Sequence, residues 1–157
     1  MADDLSSAAV PGLRADDHVD GATGVELTVL YADFSCPHCA VTYLRLREAR
    51  TPLAFRHFAL KAKGPRAVPL ACAAEAAAAQ GAFWAFADTL FGDLGRQDDP
   101  HLWARCETLG LDLERFEADR RGEGAMERVR RDTREGMKAG IVSTPAVFSL
   151  RPDVVPG

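Results

Sequence analysis

VELTVLYADFSCPHCAVTYLRLREAR, residues 25–50, changes its period part-way along. From 25 to 34, Leu27, Val29 and Tyr31 alternate while Val25, Leu30 and Phe34 add apolar neighbours, the pattern of a central strand buried on both faces. From Pro37 the apolar positions are Ala40, Tyr43, Leu44 and Leu46, spaced for a helix that runs to about Arg50. Cys36 and Cys39 sit at the switch. Covalent haem attachment asks for a histidine after the second cysteine, and Ala40 stands there. A redox dithiol, half of a zinc site and inert cysteines remain, and a strand just before with a helix just after is the context that favours the dithiol.

The chemistry explains the spacing. A sulfur attacks a disulfide only as the thiolate, and a free cysteine with a pKa of about 8.5 is mostly protonated near neutrality. At a helix N-terminus, unpaired amides and the positive end of the helix dipole favour the anion, and cysteines so placed fall to about 3.5 to 7.5. Cys36 occupies such a position. Cys39, one turn along the same face, is near enough to resolve a mixed disulfide on Cys36. Pro37 pre-sets the helical φ and gives up an amide hydrogen that would be unused. His38 is expected to add partial positive charge or a hydrogen bond beside the sulfur. Zinc would need two further ligands from Cys72, Cys106, His57 or His101, and no second C-x-x-C exists, so no metal is assigned. Cys72 and Cys106 lie on apolar helical patterns and read as buried structural cysteines.

The 157 residues suffice for one domain with a substantial core; 47% are apolar and 27% charged, and a net charge of -4 argues against a nucleic-acid partner. No window approaches the roughly 18 apolar residues of a membrane span. The first twenty residues lack the basic start and apolar run of an export signal, so a soluble, cytoplasmic protein is expected, with no membrane partner. PLAFRHFAL, 52–60, reads as a second strand, and strand, helix and strand imply a right-handed parallel crossover. A long helical region follows: 67–80, 82–91, a helix after Asp99–Pro100, one after Asp112 and one over 124–139. Asp99 and Asp112 are expected as N-caps, and Gly110 and Gly140 as helix stops. PAVFSL, 145–150, is the third strand, with a very short one at Val154–Val155. Residues 1–24 read as a polar segment ahead of the fold, mobile at its start. His57 reads as a packed, hydrogen-bonded strand residue and Phe83 and Trp84 as core aromatics, while the pattern singles out neither Asp33 nor Glu75 as a buried proton acceptor.

Taken in order, DHVDG, YADFSCPHC, RHFAL, AAAAQGAFWAFADTLF, LGLDLERFEAD and GIVSTPAVF resemble the DsbA-like branch of the thioredoxin superfamily across roughly residues 17–150. The resemblance implies an α/β thioredoxin fold with an all-helical insertion between the second and third core strands. Residues 25–62 would form its first half, 63–139 the insertion, and 140–157 a second half whose closing strand and helix are shortened or missing. It implies Cys36 as nucleophile, Cys39 as resolving cysteine and Pro145 as a cis proline, with Thr144 offering backbone groups to an extended substrate and Pro37 and His38 beside it. The implied activity is thiol–disulfide exchange with protein or low-molecular-weight thiols, without a cofactor. Stand-alone proteins and domains attached to sodium/proton antiporters look like the nearest relatives. A sheet face short of its covering helix would be buried by forming a homodimer. Two other readings compete: a module of the same fold that binds a partner without turnover, and a glutathione-transferase or isomerase relative, against which the intact C-x-x-C counts. The direction of electron flow is not legible.

Overall fold

The computed structural model describes residues 10–22 and 24–151, so the expected mobile start and the short strand at Val154–Val155 lie outside the described residues. Four strands, β1 (His18–Asp20), β2 (Leu27–Ala32), β3 (Leu53–His57) and β4 (Ala146–Leu150), form one sheet in the order β1-β3-β2-β4. β2 and β3 are parallel, with Leu30 opposite Phe55, and α1 (Pro37–Glu48) makes the crossover between them. β1 and β4 flank this pair antiparallel. Between β3 and β4 run α2 (Ala67–Ala78), α3 (Phe83–Gly92), α4 (Asp99–Leu109), α5 (Leu113–Arg120) and α6 (Glu123–Lys138). A mixed sheet with helices inserted before its last described strand is the expected architecture. Among the described residues, no helix is long and apolar enough to cross a membrane.

The period-2 alternation of β2 sorts its side chains onto two cores. Leu30 and Ala32 face a large cluster with Phe34, Tyr43 and Phe55, continued without a break by Phe83, Phe86, Leu90 and Phe91 of α3 and Phe116 of α5. The inserted helices therefore share the sheet's core. Phe34 lies 5.1 Å from Phe55 and 4.8 Å from Phe91, centroid to centroid, and each such ring contributes roughly 1.5–3 kcal/mol by burial. Val29 and Tyr31 face the other side, where Ala54, Phe58 and Ile141 join them with Val10, Leu13 and Phe148 at the margin.

The last helix of the 63–139 stretch crosses that second face. Its Gly136 lies where a Cβ would come within 3.0 Å of Phe58 and 3.2 Å of Tyr31, so the close approach depends on the missing side chain. Earlier on the same helix, Asp132 accepts from the His57 amide and Thr133 from the Ala59 amide, which ties α6 to the end of β3.

Residues 1–24 are not all a polar prelude. β1 lies within them, pairing Val19 with Ala54, and it escapes sequence reading because three residues of HVD carry no apolar alternation. The stronger tie is Arg56, fully buried in β3. Its guanidinium donates to the carbonyls of Pro11 and Gly12 at 2.8 Å, to both carboxylate oxygens of Asp17 at 3.1 and 2.8 Å, and to the Tyr31 hydroxyl at 3.0 Å. A guanidinium is tolerated in a sheet interior only when its charge is paired and its donors are satisfied, so residues 11–17 are part of the fold. A smaller correction concerns α4. Asp98, not Asp99, is its N-cap, and the Asp98 carboxylate engages His101 instead of a backbone amide, while Asp112 caps α5 as expected by accepting from the Arg115 amide.

Candidate active site

The site grows out of the turn that ends β2. Asp33 accepts at one carboxylate oxygen from the Ser35 amide and the Ser35 hydroxyl, both at 2.8 Å, and its carbonyl accepts from the Cys36 amide at 3.1 Å. This closed turn delivers Cys36 to the N-cap of α1 in an extended conformation, with Pro37 as the first helical residue. The Cys36 Sγ then accepts from the Cys39 amide at 3.4 Å, one of the orphan donors of the first turn. The donor found on the Cys36 sulfur is thus a backbone amide; Pro37 and His38 are exposed beside it.

Cys36 is half-buried, whereas Cys39 is fully buried, and both are free thiols. Burial pushes the Cys39 thiol up to about 12; the Thr144 hydroxyl and the Asp33 amide, which donates to its sulfur at 3.5 Å, pull the other way, and the Cys36 thiol adds to the rise. Thr144 and Pro145 are half-buried, the peptide between them is cis, and the Thr144 hydroxyl meets the Cys39 sulfur. Residues more than a hundred positions apart are thus brought together, Thr144 contributing its side chain. Cys72 and Cys106 stay away, buried in helices, where burial pushes each thiol up to about 11.

The arrangement at Cys36 and Cys39 sits at the carboxyl end of a parallel strand, in a sheet whose second half follows a run of inserted helices, and the comparisons agree with it. The family described as Thioredoxin matches residues 13–149. The chain belongs to the thioredoxin family. Among solved structures, Wolbachia pipientis alpha-DsbA1 superposes with a TM-score of 0.77 at 20% identity, covering 92% of this chain and 79% of that one. Pseudomonas aeruginosa DsbA2 gives 0.72 at 24% identity, covering 93% and 86%. These likenesses establish the DsbA-like thioredoxin fold with its helical insertion. Curated relatives include a protein named Na(+)/H(+) antiporter NhaA 3 from Salinispora tropica, 38% identical over 141 residues, and an antiporter NhaA of Herminiimonas arsenicoxydans, 35% identical over 139. The matches take in 84% of this chain but only 21% and 22% of those relatives, so the chain spans about a fifth of their length.

Within this thioredoxin fold, two features are invisible in the local sequence. Gln97, from the loop before α4, donates its side-chain amide to the carbonyls of Phe34 at 2.9 Å and Leu90 at 3.3 Å, stitching the insertion to the active-site turn. His18, His57 and Glu75 converge behind the sheet's large core as a separate group able to offer metal ligands. No spacing rule links positions from β1, β3 and α2.

Proposed function

We propose that the protein is a thiol–disulfide oxidoreductase in which Cys36 is the nucleophile and Cys39 the resolving cysteine. The observation that carries this reading is the Cys36 sulfur at the N-terminus of α1, accepting an amide hydrogen, with the Cys39 sulfur one turn behind it. In the reducing direction the Cys36 thiolate attacks a substrate disulfide; one substrate sulfur leaves as a thiolate and takes up a proton, and a mixed disulfide forms. Cys39 then loses its proton and attacks the Cys36 sulfur, releasing the second substrate thiol. Two electrons pass to the substrate and Cys36–Cys39 becomes the disulfide; oxidation of a dithiol is the reverse. Burial holds the Cys39 thiol up, so its deprotonation weighs on the second step, and the Thr144 hydroxyl and Asp33 amide are the groups that ease it.

Pro37 and His38 follow Cys36 in the chain and Thr144 bears on Cys39, so these residues with Pro145 would make the surface on which an extended protein segment or a small thiol lies, pairing with the backbone of Thr144. A reducing compartment, the cytoplasm, fits two further cysteines, Cys72 and Cys106, that are buried in separate helices and cross-link nothing. The test is turnover of a mixed-disulfide substrate in a glutathione buffer by the parent and by Cys36→Ser. Loss of turnover to the uncatalysed rate is expected; a Cys36→Ser protein as fast as the parent overturns the reading. The reduction potential from the same titration decides which direction the pair favours.

A further inference from the structure

We propose that His18, His57 and Glu75 form a binding site for one divalent transition-metal ion, with zinc the best fit. The three side chains come from β1, β3 and α2, and one donor atom of each lies within 4.8 Å of the other two. The Nε2 atoms of His18 and His57 sit 2.6 and 2.7 Å from the same oxygen, Oε2 of Glu75. Two imidazole nitrogens and a carboxylate suit zinc and its neighbours, whereas calcium and magnesium ask for oxygen ligands throughout. Three protein donors also leave a fourth tetrahedral position for water. Ligand atoms around tetrahedral zinc stand about 3.3 Å apart, so each imidazole–carboxylate contact would lengthen by roughly 0.6–0.7 Å to admit the ion.

The surroundings hold the ligands in place. The His18 ring stacks on Phe83 with centroids 3.8 Å apart and planes 7° from parallel, and His57 is fully buried, edge-on to Phe55 at 5.4 Å. The backbone amide of His57 is fixed by Asp132. Side chains of His18 and Glu75 keep 14% and 11% exposure, which leaves a way in for an ion. The nearest cation, Arg128, stands 4.0 Å from the other Glu75 oxygen, and it also pairs with Asp132 at 3.3 Å and Asp16 at 3.8 Å, so its charge is shared among three carboxylates.

One atom sets the expected strength. Two imidazoles facing one carboxylate oxygen as hydrogen-bond partners must both present Nε2–H, and His57 Nδ1 then has no partner among the described residues. When Nε2 binds the ion instead, the proton moves to Nδ1 and still finds no acceptor there. Such an acceptor is worth roughly 10–100-fold in metal affinity, so this site should bind its ion more weakly than a fully supported one by about that factor. A bound ion would clasp β1 to β3 and α2.

The test titrates Zn²⁺ calorimetrically into the full chain carrying Cys36→Ser and Cys39→Ser, so that the dithiol cannot compete. One ion per chain is expected, with affinity falling at least about 10-fold when His18→Gln or Glu75→Gln is added. Co²⁺ should give the visible bands of a four-coordinate nitrogen and oxygen site without a thiolate charge-transfer band. No binding, binding that both substitutions leave unchanged, or a thiolate band from Cys72 or Cys106 overturns the proposal. Should either added substitution fail to fold, thermal melting of the double-serine chain with Zn²⁺ and after chelation decides: a midpoint raised by zinc and reversed by chelator supports the site, and an unmoved midpoint overturns it.

Discussion

The turn that carries the dithiol and the clasp around Arg56 are both polar constructions on the two central strands of the same sheet, assembled in opposite ways. From Asp33 to Cys39 the turn itself is closed by near neighbours in sequence: Asp33 holds Ser35, and the Cys39 amide meets the Cys36 sulfur, while Gln97 and Thr144 reach it from afar. The clasp draws Pro11, Gly12, Asp17 and Tyr31 onto one guanidinium across a sheet. The local construction is held by short-range geometry and leaves a sulfur free to react; the distant one satisfies all its groups and holds the fold together. Substitutions in the first should therefore alter chemistry and leave stability nearly alone, and substitutions in the second should do the reverse.

The largest contrast expected lies inside the local turn. With its thiol near 12, Cys39 is ionised to about one part in 10⁴ at pH 8, roughly three orders of magnitude less than an ordinary cysteine, and it is buried as well. Iodoacetamide at pH 8 should label Cys36 in the native protein and spare Cys39, Cys72 and Cys106, as peptide mass mapping would show; equal labelling of Cys39 would erase the distinction. Next comes Arg56→Met, which takes from buried Asp17 its closest cation, leaves it Arg14 alone and should cost about 3 kcal/mol in urea unfolding. The folded fraction should exchange disulfides at the parent rate. A loss under about 1 kcal/mol would mean that the clasp contributes little, in line with exposed ion pairs.

Thr144→Val sharpens the comparison from the chemical side. Its hydroxyl favours the Cys39 thiolate, so removal moves that thiol further up, makes the anion scarcer at neutral pH and slows resolution, by up to about tenfold per pKa unit. Mixed disulfide on Cys36 should accumulate, Thr144→Ser should restore the parent lifetime, and in the parent the resolving rate should climb as pH rises above neutrality, because burial holds the Cys39 thiol up. An unchanged lifetime would show that the hydroxyl does not serve Cys39. The smallest effect is expected at Gln97→Leu, which frees the Phe34 carbonyl at a cost of about 1 kcal/mol, read from the denaturation midpoint. A greater change in activity than in stability there would make Gln97 part of the chemical machinery.

Legibility followed the same division. The β2–Cys36–α1 passage reads directly because a period of 2 gives way to a helical period within a few residues, and the capping sulfur lies at the join. The inserted helices also announce themselves, with Asp112 and Gly110 at their ends, although α4 begins one residue earlier than Asp99 suggested, a boundary that sequence leaves open by a residue or two. β1 did not, since a three-residue polar strand owes its existence to β3, whose residues 53–55 it pairs with. Nor did the place of α6, whose Gly136 gains meaning only against Phe58 and Tyr31. Arg56 and His57 could be read as strand residues, but nothing adjacent to them names Asp17 or Glu75 as partners.

Sequence alone determined where the Cys36 sulfur stands, because helix ends, proline and hydrophobic period act over a few residues and leave their mark on the chain. Tertiary structure alone decided that Thr144 meets Cys39, that Arg56 is enclosed by residues 11–17, and that two histidines share one carboxylate oxygen. Those contacts arise from burying polar groups where water cannot satisfy them, and the partner that answers a buried charge is set by which surfaces the core brings together, not by its distance along the chain.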